Sequence, residues 1–361
     1  MVQVALSRSR QQGCSCRDRT LDRCSVAAIL ALAFGGVFYV DDNGSYSLMK
    51  RTIPIPDTIS PELQQLVRES SIDCTSVPTS LQDWRSLRKP VGNGWLREMS
   101  DKHRVDVVAR EEGGVRCYDV IPRDRRLTGA KRLLLDLHLG GFVYGEGDEA
   151  AAEAIVVASQ TGYQVLAIEY RLLPDHSFPA AVDDAVAVWN AIIKTIPPSN
   201  IGVYGTSAGG GLALSLVQRA IEDGLALPGA VLADSPWADL SKTGDSRYTE
   251  LDIMSYDGFV AASAKLYANG RDLKDPKLSP VYGNFAKFPP TFLVSGGRDY
   301  LLSDTLRVNA KLRQAGVKTV LVVEEGQSHG WLLGSVTVKA PEGGVLFSQI
   351  AQFFDDNLSN Y

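Results

Sequence analysis

Two hydrophobic periods alternate along most of this chain. Residues 133–137, 165–169, 201–204, 230–233, 291–295 and 320–324 are short, largely apolar runs without polar alternation, the pattern of strands buried on both faces. Between them, residues 150–159, 180–193, 210–221, 303–315 and 345–357 set apolar side chains three and four positions apart, the spacing of one helical face. Strand and helix in regular turn predict an α/β architecture with a mostly parallel, doubly wound sheet flanked by helices. Ahead of it, Val-rich runs at 104–109 and 115–121 flank Glu112-Gly113-Gly114, which predicts a hairpin and brings the expected sheet to eight strands. Residues 60–68, and more weakly 80–88 before Pro90, read as polar helices. One stretch breaks the rhythm: residues 237–289 show no strand and carry an apolar helix at 258–268. An insertion of that length above a sheet edge predicts a lid.

Residues 1–50 follow a different pattern. Arg8, Arg10, Arg17, Arg19 and Arg23 precede an uncharged run at 26–40 that Asp41-Asp42 ends. The run is shorter than the roughly 20 residues that span a bilayer core. It matches the apolar region of an export signal, with Ala31-Leu32-Ala33 as a small-x-small cleavage site, although the polar stretch before it is long for a signal. Two readings stand side by side: export or a membrane tether through residues 26–40, and an N-terminal extension of a cytoplasmic protein. Residues 51–361 then form the α/β domain.

Composition narrows the function classes. With 361 residues, 45% hydrophobic and 22% charged, the chain can bury a sizeable core. A net charge of -5 and no basic-aromatic run in the body argue against nucleic acid as a partner. Cys14, Cys16 and Cys24 crowd the N-terminus, leaving Cys74 and Cys117 for the rest, so disulfides do not build the body. His103, His138, His176 and His329 are scattered without ligand spacing, and neither a metal nor a cofactor is expected.

The chemistry centres on Gly205-Thr206-Ser207-Ala208-Gly209, which follows one apolar run and precedes a helix. That context is the one a nucleophile elbow requires: the serine sits on a strained strand-to-helix turn that only side-chain-free neighbours let the backbone make. A hydroxyl needs a base, and the base needs an orienting acid. His329, in Gln327-Ser328-His329-Gly330 just after the last apolar run, is the strongest base candidate. Asp299 follows the run at 291–295 and Gly296-Gly297, in the chain order serine, acid, histidine. Asp304 is its rival, although a helix start beside Ser303 also explains that carboxylate. His138-Leu139-Gly140-Gly141-Phe142 leaves another strand and offers the amides of Gly140 and Gly141 as oxyanion donors, with Ala208 as the third. His138 itself reads as a brace for this loop.

With these segments the chain resembles, over residues 51–361, the hormone-sensitive-lipase-like branch of the α/β-hydrolase esterases, close to members of the monoterpene lactone hydrolase and acetyl esterase types. Glu169-Tyr170-Arg171-Leu172-Leu173-Pro174, then Phe178-Pro179-Ala180-Ala181, looks like that branch's segment after its fourth strand, and Asp275-Pro276 with Ser279-Pro280 like the one before its acid. The resemblance implies Ser207, Asp299 and His329 as a triad, Gly140, Gly141 and Ala208 as the oxyanion hole, and a helical cap from about residues 51–100 and 237–289. It departs at Leu139, where the family has glycine, and at Tyr300-Leu301, where the family has Pro-Leu after the acid. The implied activity is hydrolysis of short- to medium-chain acyl esters or lactones, small molecules, through an acyl-enzyme. The alternatives are an amidase or peptidase on the same triad and a non-catalytic ligand receptor of the same fold. The oligomeric state is not legible in the sequence.

Overall fold

Valine, isoleucine and leucine dominate the eight strands that organise the molecule. In the computed structural model the described residues are 53–69, 77–88, 91–124, 132–249 and 258–359, with two short strands before them. The chain divides into two units, Met1–Pro54 and Ile55–Tyr361. In the first, the strands Tyr39–Val40 and Tyr46–Ser47 form a small antiparallel ribbon. The rest of the expected export or tether segment lies outside the described residues. No described helix is long and apolar enough to cross a membrane.

The second unit holds β1 (Val105–Glu112), β2 (Val115–Pro122), β3 (Leu133–Leu137), β4 (Gln164–Ile168), β5 (Ile201–Thr206), β6 (Ala230–Asp234), β7 (Thr291–Gly296) and β8 (Thr319–Glu324). They form one sheet in the order β1-β2-β4-β3-β5-β6-β7-β8. β2 is antiparallel to both of its neighbours, and every other pair is parallel. The β1–β2 turn needs positive φ at Gly113 and Gly114, +60° and +81°, which glycine adopts without strain. The helices are α1 (Pro61–Glu69), α2 (Leu81–Leu87), α3 (Trp95–His103), α4 (Ala152–Thr161), α5 (Ala180–Ile192), α6 (Ala208–Glu222), α7 (Phe259–Ala268), α8 (Leu302–Gln314), α9 (Trp331–Val338) and α10 (Pro341–Asn357).

Successive residues of a strand face opposite ways, and the core divides accordingly. Leu133, Leu135 and Leu137 of β3 join Val203, Ala185 and Leu212 on one face. Leu134 joins Tyr204, Ile155, Phe347 and Phe354 on the other. Both faces being covered, β3, β5, β6 and β7 are buried along their whole length.

Two helices escaped the sequence pattern. Trp95–His103 is mostly polar, with Ser100 as its one buried residue; Leu96 and Met99 pack it against the core and supply what periodicity did not. Trp331–Val338 is an apolar, partly β-branched run, which short windows cannot assign between strand and helix. The insertion at 237–289 carries α7 as expected, and residues 250–257 of it lie outside the described residues. α2 meets α7 through Trp84 and Phe259, ring centroids 5.4 Å apart. α1 and α3 instead pack, through Leu63, Leu66, Leu96 and Met99, into the cluster on the other face of the sheet. α2 opens on a capping box between Ser80 and Asp83. It is tied to the segment after β4 by Arg85 and Arg88, which share the carboxylate of Asp175.

Candidate active site

The turn from β5 into α6 forces Ser207 to φ 60° and ψ −119°, a conformation non-glycine residues hold only under constraint. Three main-chain hydrogen bonds supply it: Ser207 N to Asp234 O at 2.9 Å, Trp237 N to Ser207 O at 2.8 Å and Gly211 N to Ser207 O at 3.0 Å. The crowding explains the flanking glycines. A Cβ on Gly209 would lie 1.6 Å from Leu137 O, and one on Gly205 2.4 Å from the same oxygen.

Around this serine the chain assembles two of the expected partners. His329, between β8 and α9, places Nε2 2.9 Å from Ser207 Oγ and Nδ1 3.1 Å from Asp299 Oδ1. The Tyr300 ring packs beside the imidazole at 4.9 Å between centroids. Asp299 is fully buried between β7 and α8. Its Oδ1 also accepts from Leu301 N at 2.7 Å, and its Oδ2 accepts from Ser295 Oγ at 3.0 Å. Burial alone would push this carboxyl up, but attraction to His329 and hydrogen bonds from His329 and Leu301 outweigh it and hold it below the ordinary value. The carboxylate therefore stays ionised, the state that can fix an imidazole tautomer.

Asp304 goes elsewhere. In the first turn of α8, its Oδ2 lies 2.8 Å from Arg247 Nη2, with both side chains fully buried, and accepts from Asp239 N at 2.9 Å. Arg307 and Tyr282 reach Asp239 Oδ2 at 2.6 and 2.8 Å. This network fastens residues 239–247 to α8. Arg247 keeps its bond to Asp239 O when the buried ion pair is lost, so Asp304→Asn is expected to cost roughly 1–3 kcal/mol. Urea unfolding should show it as a lower midpoint at unchanged slope, with kcat of the folded protein near wild type.

The loop after β3 is shaped by glycine in a comparable way. Gly140 and Gly141 have φ of +131° and +62°, and a Cβ on Gly140 would lie 2.5 Å from Tyr144 O. Their amides donate to no acceptor among the described residues. Ala208 opens α6, where a helix leaves its amides without intrahelical acceptors. His138 is buried, stacked on Tyr170 with centroids 4.1 Å apart. Burial pushes its imidazole down to about 4, so it is neutral near pH 7 and braces the loop, Nδ1 lying 2.7 Å from Leu139 O. His103 ends α3, and His176 lies between β4 and α5.

The side chains of Phe142, Trp237, Trp331 and Leu332 are buried in the core clusters. Tyr144 is 37% exposed and meets Phe259, centroids 5.7 Å apart. Phe259 itself lies over the glycine loop, its Cε1 3.5 Å from where a Gly141 Cβ would stand. Sequence reasoning missed Glu153, a buried carboxylate on α4 that hydrogen-bonds Leu139 and Thr206. The signal was present: an acid inside the apolar run Ala150-Ala151-Ala152-Glu153-Ala154-Ile155 is costly unless satisfied. Among the described residues no His, Cys, Asp and Glu side chains group as a metal ligand set.

A serine hydroxyl, an imidazole and a carboxylate in hydrogen-bonding sequence beside free amides can carry out acyl transfer. Comparison with known proteins agrees with that chemistry. The alpha/beta hydrolase fold family matches residues 134–333. An acetyl-hydrolase of Streptomyces hygroscopicus is 32% identical over 203 residues, covering 55% of this chain and 68% of that one. Among solved structures, an esterase is 38% identical with a TM-score of 0.82, covering 87% of this chain and 99% of its own. An esterase from the bacterial hormone-sensitive lipase family is 26% identical with a TM-score of 0.69, covering 83% and 99%.

Proposed function

We propose, from the premise that this chain belongs to the α/β-hydrolase family in its hormone-sensitive-lipase-like esterase branch, that it hydrolyses small carboxylic esters or lactones through an acyl-enzyme on Ser207. The observation that carries the reading is the placement of His329 between Ser207 and Asp299, at 2.9 and 3.1 Å. As Ser207 Oγ attacks the carbonyl carbon, its proton passes to His329 Nε2, and the carboxylate of Asp299 stabilises the imidazolium through Nδ1. The carbonyl oxygen becomes an oxyanion that takes hydrogen bonds from Gly140, Gly141 and Ala208, each such donor lowering the barrier by roughly 3–4 kcal/mol. Collapse expels the alkoxide, which takes the proton from His329 and leaves as the alcohol. Water then repeats the cycle on the acyl-enzyme and releases the acid.

Phe259 and Tyr144 close over the glycine loop, and the exposed Leu139 adds bulk beside it. This crowding favours short acyl groups, a preference that the acetyl-hydrolase relative supports. A series of p-nitrophenyl esters should show kcat/KM highest from acetate to butyrate and falling by about tenfold or more beyond about eight carbons, tenfold being about 1.4 kcal/mol of lost transition-state binding. A fluorophosphonate probe should label Ser207 stoichiometrically. No adduct on Ser207 would favour the receptor reading, and a profile rising with chain length to palmitate would reverse the short-acyl assignment. Amide substrates test the remaining alternative, with anilides expected to be turned over far more slowly than esters of the same acid.

A further inference from the structure

We infer that Glu153 is a positioning residue that locks the oxyanion loop to the nucleophile turn; this rests on the reading of Ser207 as nucleophile. Its two carboxylate oxygens serve two different segments. Oε2 accepts from the amide of Leu139 at 3.0 Å, the residue before Gly140. Oε1 accepts from Thr206 Oγ1 at 2.6 Å, the residue before Ser207. One side chain thus holds the segment that carries Gly140 and Gly141 and the segment that carries Ser207, each by the residue just before it.

The topology shows why such a link is needed. β3 and β5 are parallel neighbours whose register ends at Leu137 opposite Gly205. Past that pair the two segments diverge, one into the glycine loop and the other into the elbow. A misplacement of about 1 Å is enough to lose two orders of magnitude in rate. Leu139 cannot anchor the loop by its own side chain, which is 41% exposed; its amide is what Glu153 grips. From the other side Thr206 Oγ1 lies 3.3 Å from Asp234 Oδ2, and Asp234 O takes the Ser207 amide. Glu153, Thr206 and Asp234 therefore cross three adjacent strand ends.

A purely structural role fits these facts less well. Glu153 is 3% exposed and faces two further buried carboxyls, Asp136 on β3 and Asp234 on β6. Burial, with Asp234 adding repulsion, pushes its carboxyl up to about 8. An apolar residue would fill this place on α4 at lower cost. The geometry survives either protonation state. Ionised, Glu153 accepts from Thr206; protonated on Oε1, it donates to Thr206 Oγ1, which then donates to Asp234, and Leu139 N–H remains bound to Oε2 throughout.

Three variants test the inference. Glu153→Ala cuts both arms, Thr206→Val cuts the elbow arm while keeping shape, and Glu153→Gln keeps an acceptor for Leu139 N–H and a donor for Thr206 Oγ1. With p-nitrophenyl acetate, Glu153→Ala should lower kcat by about 10²-fold and Thr206→Val by about tenfold, with KM nearly unchanged, as for loss of oxyanion stabilisation. Glu153→Gln should recover kcat to within a few fold of wild type. A trifluoromethyl ketone, whose hemiketal oxyanion occupies the donors, should lose affinity in step with kcat. If Thr206→Val folds and keeps both wild-type kcat and wild-type ketone affinity, the inference is overturned, whether or not Glu153→Ala folds. It is equally overturned if Glu153→Gln is as impaired as Glu153→Ala. Failure of the parent reading looks different: the fluorophosphonate adduct would form away from Ser207 in the wild-type protein.

Discussion

Ser207→Ala is expected to lower kcat with p-nitrophenyl acetate by about 10⁴- to 10⁶-fold, the range for removing a nucleophile that acts as a unit with its base. The change deletes a single atom at a site whose backbone is already fixed. The main-chain bond from Ser207 to Asp234 O and those from Trp237 and Gly211 to Ser207 O hold the φ 60° conformation, and none of them uses the side chain. Alanine carries the same left-handed strain as serine, so thermal unfolding should shift by no more than a few degrees. Loss of activity together with loss of fold would not be the expected signature. Active-site titration of the variant stock fixes the floor set by contaminating wild-type enzyme, and a variant retaining more than about 1% of wild-type kcat above that floor would remove Ser207 from the mechanism.

Asp299→Asn is expected to cost about 10⁴-fold in kcat through the wrong imidazole tautomer. Three donors converge on this carboxylate: His329 Nδ1, Leu301 N and Ser295 Oγ. An asparagine can accept on one side only. If its amide faces Nδ1, that nitrogen must become the acceptor, the ring proton moves to Nε2, and Nε2 can no longer take the proton of Ser207. In that same orientation its oxygen still accepts from Ser295 Oγ while Leu301 N–H loses its acceptor, so the fold should lose only about 1–3 kcal/mol. Kinetics of Asp299→Asn beside Asp304→Asn decide between the two carboxylates, with a large kcat loss expected from the first and a stability loss from the second. The opposite pattern would transfer the orienting role to Asp304.

Much of this architecture was legible because its constraints leave their mark in the residue type at the position itself. Ser207 stands out through glycines at 205 and 209, and both are demanded by the approach of Leu137 O. β3, β5 and β7 read as apolar runs because both faces of the sheet are covered there. What remained hidden depends on contacts between distant residues. Nothing near Asp304 in the chain announces Arg247, its buried partner 57 positions away. Glu153 could be noticed as an acid in an apolar run, but its two partners lie on separate strand ends. Trp95–His103 has too few apolar positions to show helical periodicity, and it forms because α4 and β1 give Leu96 and Met99 somewhere to pack.

The distance along the chain between the two groups that share the Ser207 hydrogen bond, 122 residues, has a consequence for biogenesis. β6, β7 and β8 all lie between or beside them, and the histidine loop emerges only after the last strand has been laid down. A partly folded chain can hold a formed elbow and still have no proton acceptor near it. Recovery of turnover during refolding consequently reports completion of the final parallel edge, and should lag the return of helical signal because long-range strand pairing is the slow part of assembly.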